Sequence, residues 1–497
     1  MGALLMVGST SASAQWVQNA LNWWKDPFST EEKTAPAPEQ RWRATRPLPA
    51  VPAPKDAAAP LNAAAPLTLP ELTEFALMNN SRTRQAWLAA RAAAAAVGIA
   101  NADSLPIISG GWSALHARPV SGTTGLIAPW LDRWGPSISL SYVLYDFGLV
   151  EARTQAAAHR LLAANLAQNR ALQEVVFQVE QAYYQLIGVE ALVRINEQAL
   201  KNLETALDAA RRRRDSGVAT VADVYRSETQ VAQARLTLTR SRGEFEKARG
   251  QLASVVGLPI NSSLRVQTLS APPQAELAVR SINDYLETVK LLRPDLVAAQ
   301  AQVDAFRASA LAASRAGLPS IEFAANAQHS QWAAHGLQPT VSSTGVVTNV
   351  PEPYRPPTQT YSAGINVRIP IFSGFKDTYN QRQAEVQTQQ AEATRDALYR
   401  QTQLEVWQAY YDLQTVMGSI GSTEALVKSA EQTSQATLAR YQGGFGTILD
   451  LITAQQDETS ARTQRIQSFL DWYTVLARLN LSVGAGELMT TKTETKQ

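Results

Sequence analysis

The chain has 497 residues with 45 Lys+Arg against 43 Asp+Glu, and it contains no Cys. A net charge of +2 excludes a basic nucleic-acid binder and an acidic disordered tail, and the missing Cys excludes disulfide frameworks, thiolate metal sites and Cys nucleophiles. No stretch of about 18 apolar residues occurs, so a transmembrane helix is not available and any membrane crossing falls to a β-barrel.

Residues 1–14 read as a truncated signal peptide, a short apolar run ending in Ala12-Ser13-Ala14 without a basic start. Residues 15–66 form an N-terminal extension whose Pro/Ala-rich stretch over 35–66 favours extended polyproline II and acts as a spacer. From there the chain repeats itself. Glu71-Leu72 matches Asp284-Tyr285 at an offset of 213, which carries Leu105-Pro106 onto Leu318-Pro319. At an offset of 227, Ala182-Tyr183-Tyr184 matches Ala409-Tyr410-Tyr411, and Gly217, Thr220, Asp223 and Gly257 match Gly444, Thr447, Asp450 and Gly484. The second copy is longer by 14 residues. They fall between Leu318-Pro319 and Gly374, a window that holds a Gly/Pro/Ser/Thr-rich stretch over about 335–360 that reads as a loop.

Copy one spans 67–270, with a helix over 71–104, strands within 107–147, a long helix over 151–216 and a returning helix over 219–256. Copy two spans 271–486, with the same elements over 283–317, 320–372, 376–442 and 447–483, and 487–497 is a polar tail. Leu172, Val176, Val179, Tyr183, Leu186, Val193 and Leu200 make a heptad-like seam, which Tyr399, Val406, Tyr410, Leu413, Ile420 and Val427 repeat. Each long helix spans about 100 Å, and the two shorter helices of its copy, laid end to end, match that length. Between the helices the period falls to two. Ile138, Leu140, Tyr142 and Leu144 share one strand face, and Tyr361, Ala363, Ile365 and Val367 share another against Ser362, Gly364, Asn366 and Arg368.

Four strands of about 10 to 12 residues can each cross a bilayer but cannot close a barrel, for which about eight are needed, so several chains must pool them. Trp112, Trp134 and Tyr145 on one hairpin and Trp332, Tyr361 and Phe372 on the other suit the aromatic girdles of a membrane barrel. A small soluble sheet capping a helical bundle is the alternative.

The most specific motif is the turn after each long helix. Arg440-Tyr441-Gln442-Gly443-Gly444-Phe445-Gly446-Thr447-Ile448-Leu449-Asp450 has its partner in Arg213-Arg214-Asp215-Ser216-Gly217-Val218-Ala219-Thr220-Val221-Ala222-Asp223. Gly217 and Gly444 supply the positive φ of a helix C-terminus, and Thr220 and Thr447 cap the returning helix with Asp223 and Asp450 three residues on. With these motifs, residues 68–486 resemble the TolC family of outer-membrane channel proteins.

The resemblance implies an α+β membrane protein with two tandem structural repeats. A homotrimer would give four strands per chain to one transmembrane β-barrel above a long α-helical coiled-coil barrel in the periplasm. It implies docking of a periplasmic adaptor at the tips, through Gly217, Val218, Ala219, Thr220 and Asp223 and through Gly444, Phe445, Gly446 and Thr447. It also implies an inner-membrane transporter as partner, contact with outer-membrane lipid, and a periplasmic gate at Asp450, Thr453 and Tyr441. Two positions depart from the family pattern. Thr453 stands in place of the second gate carboxylate, and Gly446 in place of an Arg that helps lock the tip. For Asp450 the capping role is the alternative to the gate.

No Walker loop, dinucleotide fingerprint, nucleophile elbow or His-Glu-x-x-His occurs, so no enzyme, cofactor or metal is expected. His329 and His335 are assigned to a solvated loop near the barrel rim, and Arg211-Arg212-Arg213-Arg214 to a solvated helix end. The function that follows is the passive exit duct of a tripartite efflux pump. A type I protein secretion channel and a structural coiled-coil envelope protein without a channel are the alternatives.

Overall fold

A computed structural model of the chain describes residues 66–118, 130–267, 281–335, 337–351 and 356–484. The readings over 1–14 and 487–497, and over the extension up to residue 65, lie outside the described residues. Copy one comprises α1 (Leu69–Asn79), α2 (Ser81–Ala102), β1 (Ile107–Ala117), β2 (Trp130–Tyr145), α3 (Leu149–Asp215) and α4 (Val221–Val256). Copy two comprises α5 (Ile282–Leu292), α6 (Pro294–Arg315), β3 (Ser320–His335), β4 (Leu337–Val341), β5 (Val347–Pro351), β6 (Thr358–Arg368), α7 (Lys376–Gln442) and α8 (Ile448–Val483).

Three features depart from the expected elements. The first helix of each copy is broken, at Asn80 and at Arg293. Asn80 stops one helix and caps the next by accepting from Arg82 N at 2.7 Å. Pro294 opens α6 at its first turn, where a missing N–H is harmless. Secondly, β2 and β3 each run 16 residues rather than 10 to 12. Thirdly, the stretch expected as a loop holds an antiparallel hairpin, Leu337 opposite Pro351 and Val341 opposite Val347.

The two long helices, 67 residues each, organise the rest and span about 100 Å. Along α3 and α7 the shorter helices lie in two tiers. On the strand side the packing order is α2, α3, α6, α7; on the turn side it is α4, α3, α8, α7. The short α1 and α5 sit where the tiers meet, each against the long and returning helices of its own copy. Leu72 and Ala76 of α1 enter a core with Val175, Val179, Tyr183 and Leu186 of α3 and with Leu252 and Val256 of α4. Tyr285 and Val289 of α5 do the same with Val406, Tyr410 and Leu413 of α7 and with Leu479 and Val483 of α8. Heptad-spaced apolar residues on a mostly polar helix drive this packing, since only the seam is removed from water. Among the described residues no helix is long and apolar enough to cross a membrane.

Four of the strands form one antiparallel sheet in the order β1-β2-β3-β6, with β1 and β6 as its edges, and β4 and β5 pair separately.

Candidate functional site at the helical tips and on the strand face

Both tips are built alike. Gly217 (φ +75°) and Gly444 (φ +88°) take the left-handed conformation that lets the chain reverse. Thr220 Oγ1 donates to Asp223 Oδ2 at 2.8 Å while Asp223 N donates back to Thr220 Oγ1 at 3.3 Å. Thr447 and Asp450 repeat the pair at 2.8 and 3.1 Å. The hydrogen bonds from Thr220 and from Thr447, hydroxyl first and then backbone N–H, hold both carboxyls below the ordinary Asp range. Beyond the caps, Val218 and Phe445 project into solvent, Phe445 at 84% exposure. Ala219 and Gly446 are half-buried behind them.

The tips also touch each other. Tyr441 is 3% exposed and belongs to a core with Leu203, Leu207 and Ala210 of α3, Val224 of α4 and Ile448 and Leu451 of α8. Arg213 of copy one donates through Nη1 to the carbonyl of Tyr441 at 2.6 Å, and its guanidinium carbon lies 4.6 Å from the ring centroid. The Tyr441 hydroxyl is buried without a hydrogen-bond partner. Arg213, assigned above to a solvated helix end, is therefore half-buried and clamps one tip to the other. No signal in the sequence joins residues 228 positions apart.

Asp450 and Thr453 are both exposed on α8, and Asp457 is exposed one further step along, at the i, i+3, i+7 spacing of one helix face. The stripe thus carries two carboxylates around a hydroxyl. The capping motif ends at Asp450 and does not mark Asp457; helical spacing from Asp450 is the signal that finds it.

The strand faces follow from the register. Ile108, Trp112, Ile138, Leu140, Tyr142, Phe323, Tyr361, Ile365 and Val367 lie on one face, and Ser109, Ser137, Ser139, Asn326, Ser362 and Asn366 on the other. The apolar face is solvent-exposed at Trp112, Ile138, Tyr361 and Ile365, with nothing of the described chain covering it. Its apolar band runs from the level of Trp112 and Pro136 to that of Tyr145 and Ile321. That is about 31 Å along the strands at 3.4 Å per residue, or about 22 Å of height at a 45° tilt, close to the apolar belt of an outer-membrane barrel. Trp112, Trp134 and Tyr361 border the band on the side away from the helices and Tyr145 on the helical side, while Phe372 lies past the end of β6 in the link to α7. Trp332 does not join them. It lies on the polar face, under Arg133 at 5.4 Å and donating to Thr358 Oγ1 at 3.0 Å. His329 and His335 belong to β3 rather than to a loop.

The family model described as outer membrane efflux protein matches residues 72–258 and 286–485. The chain is 26% identical over 424 residues to Protein CyaE of Bordetella pertussis, covering 85% of this chain and 84% of that protein. It is 26% identical over 431 residues to the probable efflux pump outer membrane protein TtgC of Pseudomonas putida, covering 84% and 83%. The solved structure of the outer membrane protein VceC of Vibrio cholerae shares the fold with a TM-score of 0.71 at 20% identity, covering 84% of this chain and 96% of that one.

Proposed function

The chain belongs to the outer membrane efflux protein family and is an outer-membrane efflux channel, and from that membership we propose that three copies of it form the passive exit duct of a tripartite pump. A periplasmic adaptor and an inner-membrane transporter would complete the assembly, with the transporter supplying the energy.

The observation that carries the trimer is where the unpaired edges lie. Copy one leaves β1, α2 and α4 at one side of the protomer, and copy two leaves β6 and α7 at the other. Two different sides make a head-to-tail contact, which closes into a ring when the rotation between copies brings the last onto the first. A sheet edge cannot stay open in hydrocarbon. Three copies of a four-stranded sheet give twelve strands, enough for a closed barrel.

The internal repeat also supplies the register of that contact. Within the chain α3 packs on α8, and Leu470 fills the space over Gly188, where an added Cβ would lie 2.0 Å from Leu470 Cδ1. The positions 227 residues away are Thr415 on α7 and Gly243 on α4. There the knob and the hole exchange places. Gly243 has open space above it, and α7 exposes Trp407 and Tyr411 beside Thr415. In a Cys-free chain, Thr415→Cys combined with Gly243→Cys should oxidise to a covalent trimer on denaturing gels. Monomer alone would sink the ring in this register.

At the tips, the exposed Val218 and Phe445 and the turns Gly217 to Thr220 and Gly444 to Thr447 offer the adaptor contacts. Tyr441, pinned by Arg213, holds the tips together, and the Asp450, Thr453, Asp457 stripe forms the gate. The test is single-channel conductance in planar bilayers. A small, cation-selective conductance that changes in Asp450→Ala supports duct and gate together. An unchanged conductance reduces Asp450 to a helix cap.

A further inference from the structure

The ends of the two returning helices are served unequally. At the end of α8, Arg293 Nη1 donates to the carbonyl of Ser482, Arg170 Nη1 to that of Leu481 at 3.0 Å, and Gln173 Nε2 to that of Gly484 at 3.1 Å. Two of those three donors come from α3, the long helix packed beside it. At the end of α4, Asn80 Nδ2 reaches the carbonyl of Val255. The last turn of α4 holds no basic residue. Among the described residues no side chain donates to the carbonyl of Gly257, the counterpart of Gly484. The C-terminal carbonyls of a helix carry the negative end of its dipole, so this end of α4 lacks a cation.

The internal repeat says where one should come from. Three contacts fix the antiparallel register of α3 and α8. Gln173 meets Gly484, the rings of Tyr184 and Tyr473 stack with centroids 4.8 Å apart, and Leu470 lies over Gly188. Moving the α3 positions on by 227 and the α8 positions back by 227 sets Arg400, Tyr411 and Thr415 of α7 opposite Gly257, Glu246 and Gly243 of α4. The last pair is the one that sets the register of the ring above. Since α7 and α4 lie at opposite sides of the protomer, these pairs form between protomers. Arg170 and Gln173 of α3 become Ala397 and Arg400 of α7. Each helix thus carries one guanidinium in this turn, and on α7 it has moved to the position that faces Gly257. Arg400 is exposed, and among the described residues no carboxylate pairs with it. The charges on the facing edge, Arg82 and Glu174, satisfy each other at 2.5 Å.

We infer that Arg400 caps the C-terminus of α4 in the next protomer, its guanidinium donating to the carbonyl of Gly257 of the partner subunit. The joint of copy two is then complete within one chain, and the joint of copy one, which Asn80 ties with a single neutral bond, is completed in trans. The cap rests on the ring proposed above and shares its register, but a ring can close without it.

The test uses the full-length protein in detergent, heated before electrophoresis. Arg400→Ala should lower the temperature at which the trimer dissociates by about 5–10 °C, the effect of losing a hydrogen bond to a charged group at each contact. Arg400→Gln, the side chain that α3 uses at the equivalent position, should recover part of the loss. Arg400→Glu sets a carboxylate against the negative helix end and should lose more than Arg400→Ala. Location is read separately. With p-benzoylphenylalanine in place of Arg400, irradiation should join chains covalently, and trypsin should release the label on the peptide from Gly250 to Arg265, which contains Gly257. A trimer whose dissociation Arg400→Ala does not move, or whose cross-link falls on another peptide, overturns the cap and leaves the ring standing. Equal losses in all three variants would tie the effect to the aliphatic stem and overturn the cap as well. A wild-type chain that stays monomeric breaks the ring, and the cap with it.

Discussion

At the joint of copy one, Asn80 donates through Nδ2 to the carbonyl of Val255 at 2.7 Å. At the joint of copy two, Arg293 donates through Nη1 to the carbonyl of Ser482 at 3.2 Å. The donors are 213 positions apart and the acceptors 227, the two offsets of the internal repeat. Both joints rest on a left-handed glycine packed against the broken helix. A Cβ on Gly257 would lie 3.0 Å from Asn79 O, and one on Gly484 2.7 Å from Leu292 O. One task, tying the returning helix to a break in the first helix, is thus done once by a neutral amide and once by a guanidinium. The charged version needs more support. Arg293 is 2% exposed, held by Asp295 at 2.9 Å and Glu405 at 2.7 Å, while Arg170 and Gln173 of copy one reach the carbonyls of Leu481 and Gly484. The copy-two joint lies against α3 inside the protomer, whereas the copy-one joint lies toward the α2–α4 edge. Chemistry that costs more to bury sits where the chain itself can satisfy it.

The sharpest way to break this comparison is to remove both donors. Arg293→Ala leaves Asp295 and Glu405 without their buried cation and should cost about 3–5 kcal/mol. Asn80→Ala removes a cap and one neutral bond and should cost about 1–2 kcal/mol. Urea unfolding of the detergent-solubilised protein, followed by far-UV circular dichroism, reads both. Equal losses would mean that the charge adds nothing to the joint.

The tips sharpen the same contrast, because Arg213 and Arg440 occupy equivalent positions 227 apart. Only Arg213 clamps a tyrosine within the chain. Arg213→Ala should cost about 1.5–3 kcal/mol, the usual effect of a hydrogen bond to a charged group. Tyr441→Phe removes a buried hydroxyl that has no partner and should be neutral or slightly stabilising. A Tyr441→Phe protein as damaged as Arg213→Ala would show that the hydroxyl, and not the ring and carbonyl, carries the latch.

Much of this architecture is legible in the residues. Period-two alternation marks Ile138 to Leu144 and Tyr361 to Val367 as strands, and heptad-spaced apolar residues mark α3 and α7, because each pattern is the direct imprint of a burial face. The joints are legible only in part. Pro294 stands inside what reads as one helix and signals a helix start, but Asn80 sits in an uninterrupted helical composition, and its capping role depends on Val255, far along the chain. Trp332 differs in parity from Ile321 and Phe323, so alternation alone assigns it to the polar face. The Arg213–Tyr441 clamp is a contact between distant segments, which no local pattern encodes.

A smaller contrast lies at mid-helix, where Glu180 of copy one corresponds to Trp407 of copy two. Burial pushes the Glu180 carboxyl up to about 7, from an ordinary value of 4.5. The folded chain then binds more protons than the unfolded chain between those values, so stability falls as pH rises from 4.5 to 7 and the full penalty holds above 7. Glu180→Gln should therefore raise the thermal midpoint at pH 8 and leave it unchanged at pH 4, a difference that differential scanning calorimetry resolves. A gain of equal size at both pH values would tie the effect to packing rather than to charge.

The smallest expected change in stability belongs to Asp450, and there stability and function separate. Its carboxyl is held low chiefly by the Thr447 hydroxyl, so the cap is intact above the ordinary Asp value of 3.8 and is lost as pH falls below it. Asp223 makes the same cap with Thr220 but lies on the other copy's returning helix. If capping were the whole role of both, Asp450→Asn and Asp223→Asn would shift the unfolding midpoint alike and leave conductance alone. Three copies of Asp450 facing one another around the ring axis would instead set the local field, with Asp457 one step behind. Asp450→Asn should then lower cation selectivity and Asp450→Asn with Asp457→Asn should lower it further, while Asp223→Asn leaves it unchanged. Reversal potentials across a salt gradient measure this directly. Equal selectivity in all three variants would leave Asp450 as a helix cap and Asp457 as a solvated carboxylate, and the duct without a charged gate on this helix.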